Sequence, residues 1–188
     1  LSLKHANQEI DLLNKKLEKA NKELERFARI DMLSGLMNRM SLFGVLDEEI
    51  ERSIRSGMAL TGIMMDIDHF KEINDKWGHQ CGDRVIRAIG GFLIGKLRKY
   101  DHAGRYGGEE FFIVLPHTSI RQGKIIGERF RCDIEKHKIS CDDTEIPITA
   151  SLGVAQFSAD ENRDMWISRA DKAMYEAKRN GRNCVICD

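Results

Sequence analysis

The run Arg105-Tyr106-Gly107-Gly108-Glu109-Glu110-Phe111, continuing through Phe112-Ile113-Val114-Leu115 and stopping at Pro116, constrains the fold more than any other stretch. A Gly-Gly pair ahead of an aromatic and aliphatic run predicts the tight turn of a β-hairpin, since glycine tolerates the positive φ that such turns require. Two acidic residues then open an otherwise apolar strand. Carboxylates cost free energy where a strand is about to be buried, so they call for a metal, a cationic partner or open solvent at the turn. This hairpin tip therefore reads as the edge of an active site.

A chain of 188 residues with 41% hydrophobic content can bury one ordinary core plus an accessory segment. Lys+Arg and Asp+Glu both number 30. That balance gives no reason to expect broad binding to nucleic acid or to an anionic membrane. The five cysteines (Cys81, Cys132, Cys141, Cys184, Cys187) are too few and too scattered for a disulfide framework. Their odd number suits a reducing compartment, so the cytoplasm is the expected location. Cys184 and Cys187 lack the second pair that a zinc site needs and read as strand cysteines. No run approaches the roughly 20 apolar residues of a membrane span, and no signal peptide is recognisable. A chain beginning at Leu1 rather than a methionine is expected to be part of something longer.

From Leu3 to Phe27 the apolar residues alternate at spacings of three and four: Leu3, Ile10, Leu17 and Leu24 in one position, Ala6, Leu13, Ala20 and Phe27 in the other. This heptad pattern, free of Pro and Gly, predicts a coiled-coil stalk over residues 1–29 that pairs two copies of the chain; a single amphipathic helix folded on its own domain is the bland alternative. Residues 30–188 form the domain proper. Asp31-Met32-Leu33-Ser34-Gly35-Leu36-Met37-Asn38-Arg39 is a junction, with Asn38 capping a helix whose apolar face is Leu42, Phe43, Val45, Leu46, Ile50 and Ile54, ended by Ser56-Gly57. Met58 to Met65 predicts a strand covered on both faces, running into Asp66-Ile67-Asp68. Carboxylates at the end of a buried strand are suited to divalent metals, although Asp66 or Asp68 could instead cap the next helix.

That short helix carries Phe70, Ile73 and Trp77 inward and Lys71 in its first turn, where free N–H groups and the ammonium suit an anion. Asn74 and Asp83 offer an amide and a carboxylate, a pair able to read the N1 and exocyclic amine of guanine. A helix from about Gly82 to Lys99 presents Val85, Ile86, Ile89, Leu93, Ile94 and Leu97 inward. Arg98 and Asp101 follow, then a short strand from His102 to Tyr106 into the hairpin. A helix from Ser119 to about Lys138 directs Ile125, Ile126, Phe130 and Ile134 inward, with Arg129 elsewhere on its surface. Ser140 to Glu145 reads as a loop, Ile146 to Phe157 as a long strand, and a final helix through Trp166 and Met174 is capped near Gly181. Lys178 and Arg182 read by themselves as solvated charges. Strands interleaved with helices plus one hairpin predict an α/β fold with a mixed sheet flanked by helices, related to the βαββαβ unit.

The string GGEEF resembles the signature of GGDEF-domain diguanylate cyclases. The junction resembles that family's D-x-L-T-G-L-x-N-R motif, with Ser34 for threonine. Asp66 to Asp83 follows D-x-D-x-F-K-x-x-N-D-x-x-G-H-x-x-G-D almost position for position, Ser151-Leu152-Gly153-Val154 is similar to S-x-G-V, and Ala177 to Asn183 to A-K-x-x-G-R-N. The resemblance implies a palm-like nucleotide cyclase fold after about Ile30. It implies condensation of two GTP molecules into cyclic di-GMP and two pyrophosphates, by a homodimer whose upstream sensory domain acts through the stalk. It implies Mg²⁺, with Mn²⁺ as a substitute, on Asp66, the Ile67 carbonyl, Glu109 and Glu110. Glu109 and Lys71 would be catalytic; Phe70, Lys71, Asn74, His79, Asp83, Lys178 and Arg182 would hold the nucleotide; Arg98, Asp101 and Arg129 would bind inhibitory product. Three other readings stand beside it. A catalytically silent receptor for GTP or cyclic di-GMP is opposed by intact Asp66, Lys71 and Glu109. A hybrid ATP/GTP cyclase is opposed by the guanine-suited carboxylate of Asp83. A purely structural dimerisation module has no use for the polar constellation.

Overall fold

The computed structural model describes residues 13, 29–141 and 144–188. Apart from residues 13 and 29, the expected coiled coil over residues 1–29 lies outside the described residues. The described elements run α1 (Arg39–Ser56), β1 (Leu60–Ile67), α2 (Phe70–Trp77), α3 (His79–Lys96), β2 (His102–Arg105), β3 (Glu110–Pro116), α4 (Ile120–Lys136), β4 (Lys138–Cys141), β5 (Thr144–Pro147), β6 (Ala150–Gln156), α5 (Arg163–Arg179) and β7 (Val185–Cys187). The expected mixed sheet is present. Its order is β2-β3-β1-β6-β7, antiparallel throughout except for the parallel β6–β7 pair.

Strand periodicity explains the layers. Along β1, Ile63, Met65 and Ile67 enter one core with Val85, Ile86 and Leu93 of α3 and Phe130 and Ile134 of α4. Leu60 and Met64 point the other way, into a second core with Leu42 and Leu46 of α1 and Trp166 and Met174 of α5. Both faces of the sheet are thus covered, which is why the central strands read as unbroken apolar runs. Trp166 is fully buried, its Nε1 donating to the Ala155 carbonyl at 2.9 Å and its ring meeting Phe112 edge-on at 5.7 Å.

Helix ends follow local chemistry. The Asn38 side chain accepts from Ser41 N and left-handed Gly57 closes α1, as the sequence predicts. Ser119 and Gln122 form a capping box on α4.

Several expectations need correction. The strand expected over residues 58–65 runs two residues further, because Asp66 and Ile67 still pair with β6. The helix expected to end at Lys99 starts at His79, right after Gly78, and stops at Lys96, so Arg98 lies beyond it. In the stretch expected to be a loop, Ser140 and Cys141 belong to β4 and Thr144 and Glu145 to β5, two antiparallel strands whose alternation buries Ile139, Cys141 and Ile146. Ile94 and Ile125 are exposed, since neighbouring helical residues sit about 100° apart and Leu93 and Ile126 take the inward places. Ile54, in the last turn of α1, is exposed as well. Cys81 and Cys141 are joined in a disulfide that ties the first turn of α3 to β4.

Candidate active site

The end of β1 lies between two strands that bring polar groups to it. Register places Asp66 opposite Glu110 of β3 on one side and Ser151 of β6 on the other. Ile67 N donates to the Glu109 carbonyl at 3.4 Å, holding the hairpin tip against the strand end. From α5, whose last turn passes over the same place, Lys178 Nζ reaches Asp66 Oδ2 at 2.8 Å. Asp66 is only 4% exposed. Burial pushes its carboxyl up to about 6; the Lys178 ammonium pulls it down, and the charges of Glu109 and Glu110 push it up again. Glu110 is also raised, by burial first and then by Asp171 and Glu109, against the pull of Lys178 and Arg39.

The hairpin turn is built differently from the expectation. Neither Gly107 nor Gly108 takes a left-handed φ. The space beside Gly107 is taken by the Glu110 carboxylate: a Cβ there would lie 2.4 Å from Glu110 Oε2, so a side chain at this position would make the carboxylate shift. The turn is closed by the Glu110 carbonyl, which accepts from Tyr106 N at 2.8 Å and Gly107 N at 3.3 Å. Arg105 clasps it from behind, donating to the Gly108 carbonyl at 2.9 and 2.7 Å and to Asp31 at 3.3 Å. Arg39 stacks over Tyr106, 4.5 Å from its centroid. The junction Asp31–Arg39 is therefore a brace for the acidic turn, beyond the cap and hinge that the sequence suggests. Arg105 and Asp31 were each in view in the sequence; their pairing was not, with 74 residues between them.

The helices α2 and α3 are joined through Gly78 alone, whose φ is 81°. Gly82 has no room for a side chain, since a Cβ would fall 2.0 Å from Asn74 Oδ1. Asn74 is thereby pressed onto the first turn of α3 beside Asp83. Lys71, in the first turn of α2, and His79, at the start of α3, are exposed, whereas Phe70 packs partly against the core. Arg182 is exposed and lies in a left-handed turn (φ 64°) just after α5. Arg98 and Asp101 form a turn of their own, Arg98 N donating to Asp101 Oδ2 at 2.9 Å. Both line a cavity of about 480 Å³ with Glu48, Arg52 and His102. Arg129 is not among its lining residues; it sits on α4, stacked on Phe130 at 5.6 Å.

Asp66, Glu109, Glu110 and the Ile67 carbonyl make an all-oxygen donor set, the kind preferred by a hard divalent cation. The Lys178 ammonium beside Asp66 stands where positive charge is wanted, so the residues fit such an ion. Among the described residues, no three or more His, Cys, Asp or Glu side chains converge as a cage. Mg²⁺ asks for less, because it is commonly held by one or two carboxylates plus the phosphates of its substrate.

A palm-like mixed sheet with paired carboxylates at a strand–hairpin edge defines a class of phosphoryl-handling domains. The comparisons narrow it. The family described as "Diguanylate cyclase, GGDEF domain" matches residues 28–184, and the chain belongs to that family. It is 42% identical over 156 residues to the diguanylate cyclase DgcP of Pseudomonas aeruginosa, covering 83% of this chain and 23% of that one. With the diguanylate cyclase VdcA of Vibrio cholerae it shares 40% identity over 187 residues, 98% of this chain and 53% of the relative. The chain thus spans about a quarter to about half the length of these two relatives. The crystal structure of the coiled coil and GGDEF domain of DgcB from Caulobacter crescentus, in complex with c-di-GMP, superposes with a TM-score of 0.93 at 30% identity, covering 100% of both chains.

Proposed function

We propose that the chain is a diguanylate cyclase that condenses two molecules of GTP into cyclic di-GMP and two pyrophosphates. The observation that carries this reading is the buried Asp66 carboxylate, drawn between Lys178 and the acidic turn, in a chain of this family. Lys71, Lys178, Arg182 and the backbone of Phe70 bind the triphosphate; Asn74 and Asp83 hold guanine, with His79 near the nucleoside. Glu109 takes the proton from a 3′-hydroxyl, the freed 3′-oxygen bonds to the α-phosphorus of the other GTP, and the bond to pyrophosphate breaks. The same exchange in the opposite sense closes the ring. Asp66, Glu109, Glu110 and the Ile67 carbonyl would hold Mg²⁺, or Mn²⁺ in its place, which would supply neutralisation of phosphate charge and a lowered pKa for the attacking hydroxyl.

One site holds one GTP, so turnover needs two protomers face to face. The heptads of residues 1–29 supply that pairing as a homodimer, raise the local concentration of the second site and receive the motion of an upstream sensory domain. Cyclic di-GMP returns to Arg98, Asp101 and Arg129 as an inhibitor; the DgcB structure with c-di-GMP supports such product binding. We place the reaction in the cytoplasm, where GTP is made. No described helix is long and apolar enough to cross a membrane. The Cys81–Cys141 bond pulls the other way, because such bonds persist in oxidising compartments. A free-thiol count on protein taken from cells under acid quench decides between them.

The direct assay is purified protein with Mg²⁺ and GTP, product read by mass. Absence of cyclic di-GMP at high protein concentration, after bound product is stripped, overturns the cyclase reading. Arg98→Ala should raise turnover in the presence of added product; unchanged inhibition overturns the feedback site.

A further inference from the structure

The turn after α5 is held in an unusual conformation from below. Gly181, Arg182 and Asn183 follow one another with φ of 102°, 64° and 45°. Two consecutive non-glycine residues in the left-handed region persist only where their surroundings over-determine them. The determinants are visible. Arg182 N donates to the Ala177 carbonyl at 3.0 Å. Asn183 accepts from Arg131 Nη1 at 2.9 Å and donates to Glu135 at 2.8 Å through its side chain. Its backbone N–H donates at 3.0 Å to Oδ2 of Asp68.

Asp68 is 3% exposed and directly follows β1, 115 residues earlier in the chain. Its carboxylate also accepts from Thr149 Oγ1 at 2.7 Å and Ser151 Oγ at 2.6 Å. It does not cap α2, whose N-cap is His69 with no side-chain cap bond. A buried carboxylate satisfied by two hydroxyls and one backbone N–H is a fixed strut. The N–H that it fixes belongs to the residue next to Arg182.

We propose that Asp68 is a positioning residue for phosphate binding: by holding Asn183 N–H it locks the turn that aims Arg182 at the nucleotide's phosphates. The inference rests on the reading of Arg182 as a phosphate contact. What Asp68 lends the turn is an acceptor oxygen, which an amide also supplies. In Asp68→Asn the amide oxygen still accepts from Asn183 N and Thr149, and the NH₂ group donates to Ser151 Oγ, whose hydroxyl can rotate to accept. In Asp68→Ala nothing replaces the acceptor.

The test uses the whole chain and 3′-deoxy-GTP, which keeps the triphosphate but lacks the attacking hydroxyl, with guanosine as the phosphate-free probe; binding is read by calorimetry. Asp68→Ala should weaken 3′-deoxy-GTP binding about tenfold, the equivalent of one charge-assisted contact. Guanosine binding should be unchanged. Asp68→Asn should stay within about twofold of the parent, since it retains the same hydrogen bond. The Asp68→Ala/Arg182→Ala double variant should bind no more weakly than Arg182→Ala alone. Should the alanine variant fail to fold, Asp68→Ser takes its place, its short hydroxyl staying with Ser151 out of reach of Asn183 N. Equal damage from Asn and Ala, multiplicative losses in the double variant, or equal loss of guanosine overturns the proposal. If Arg182→Ala itself leaves 3′-deoxy-GTP binding intact, the phosphate role of Arg182 has failed first, and the proposal falls with it.

Discussion

Two buried carboxylates stand two residues apart at the end of β1, and their neighbours treat them oppositely. Asp68 is surrounded by neutral donors that all point at it: Ser151 Oγ, Thr149 Oγ1 and Asn183 N. Asp66 faces one ammonium and two further carboxylates, and burial, opposed by Lys178 and aided by Glu109 and Glu110, holds its carboxyl up at about 6. A fully hydrogen-bonded buried carboxylate behaves as part of the frame, whereas one buried beside two like charges with a single ammonium to offset them still calls for positive charge. The contrast separates support from chemistry within a single tripeptide. The raised carboxyl belongs to the residue opposite the acidic turn, and the full set of hydrogen bonds to its neighbour.

The hardest test of that division removes the acidic turn's own carboxylate. Glu109→Ala should lower the rate of cyclic di-GMP formation at least about a thousandfold, since the proposed mechanism gives Glu109 both a cation to hold and a proton to accept. Thermal stability should hold or rise, because a like charge facing Asp66 disappears. A variant retaining more than a tenth of the parent's turnover would break the comparison by moving the chemistry elsewhere.

The next effect is a pH dependence. Asp66 titrates at about 6 in the folded chain against an ordinary 3.8, so the folded state holds a proton that the unfolded chain has released between those values. The contribution of this group to stability is therefore full below the lower value and lost as pH rises through the upper one. Divalent binding needs the carboxylate and competes with the proton. Apparent Mg²⁺ affinity should fall about tenfold per unit below pH about 6. Calorimetric Mg²⁺ titrations at three pH values read it directly; a flat affinity from neutral pH to pH about 5 contradicts the assignment of Asp66 as ligand.

Much of this frame was legible in the sequence. The apolar runs of β1 and β3 announce strands covered on both faces, and the Asn38 and Gly57 caps sit where their chemistry predicts. What was not legible depends on residues far apart in the chain. The donors to Asp68 lie 81, 83 and 115 residues away, so nothing local distinguishes it from Asp66. The Arg105–Asp31 brace and the Cys81–Cys141 bond are likewise long-range, at separations of 74 and 60. Gly107 shows a different limit: the expected positive φ is not there, and what adjoins this glycine is the Glu110 carboxylate. The β4–β5 hairpin escaped because its strands are only four residues each.

A smaller effect separates the two carboxylates from the stability side. Ser151 stands opposite Asp66 in register yet gives its hydroxyl to Asp68. Ser151→Ala should cost about 1.5 kcal/mol in urea unfolding, the ordinary loss for a buried hydrogen bond to a charged acceptor. Turnover of the folded variant should change by no more than a few-fold. A stable variant with collapsed activity would reverse the roles assigned to the two positions.

The smallest effect probes the crowding around Asp66 directly. Glu110→Gln keeps the shape of the turn, including the contact space above Gly107, and deletes one of the two charges that raise Asp66. Because Glu110 is only half-buried, solvent screens most of that repulsion. The gain in stability of the metal-free protein at pH about 8 should be about 0.5 kcal/mol, visible as a small rise in Tm. Below the ordinary carboxylate range glutamic acid and glutamine carry the same charge, so the two proteins should melt together there. An equal rise at both pH values would mean that the variant repacks the turn, and a fall at pH about 8 would mean that Glu110 is held by Arg39 more strongly than it repels Asp66. Only a rise confined to the higher pH fits an Asp66 that burial holds up first and its acidic neighbours push further, waiting for a cation.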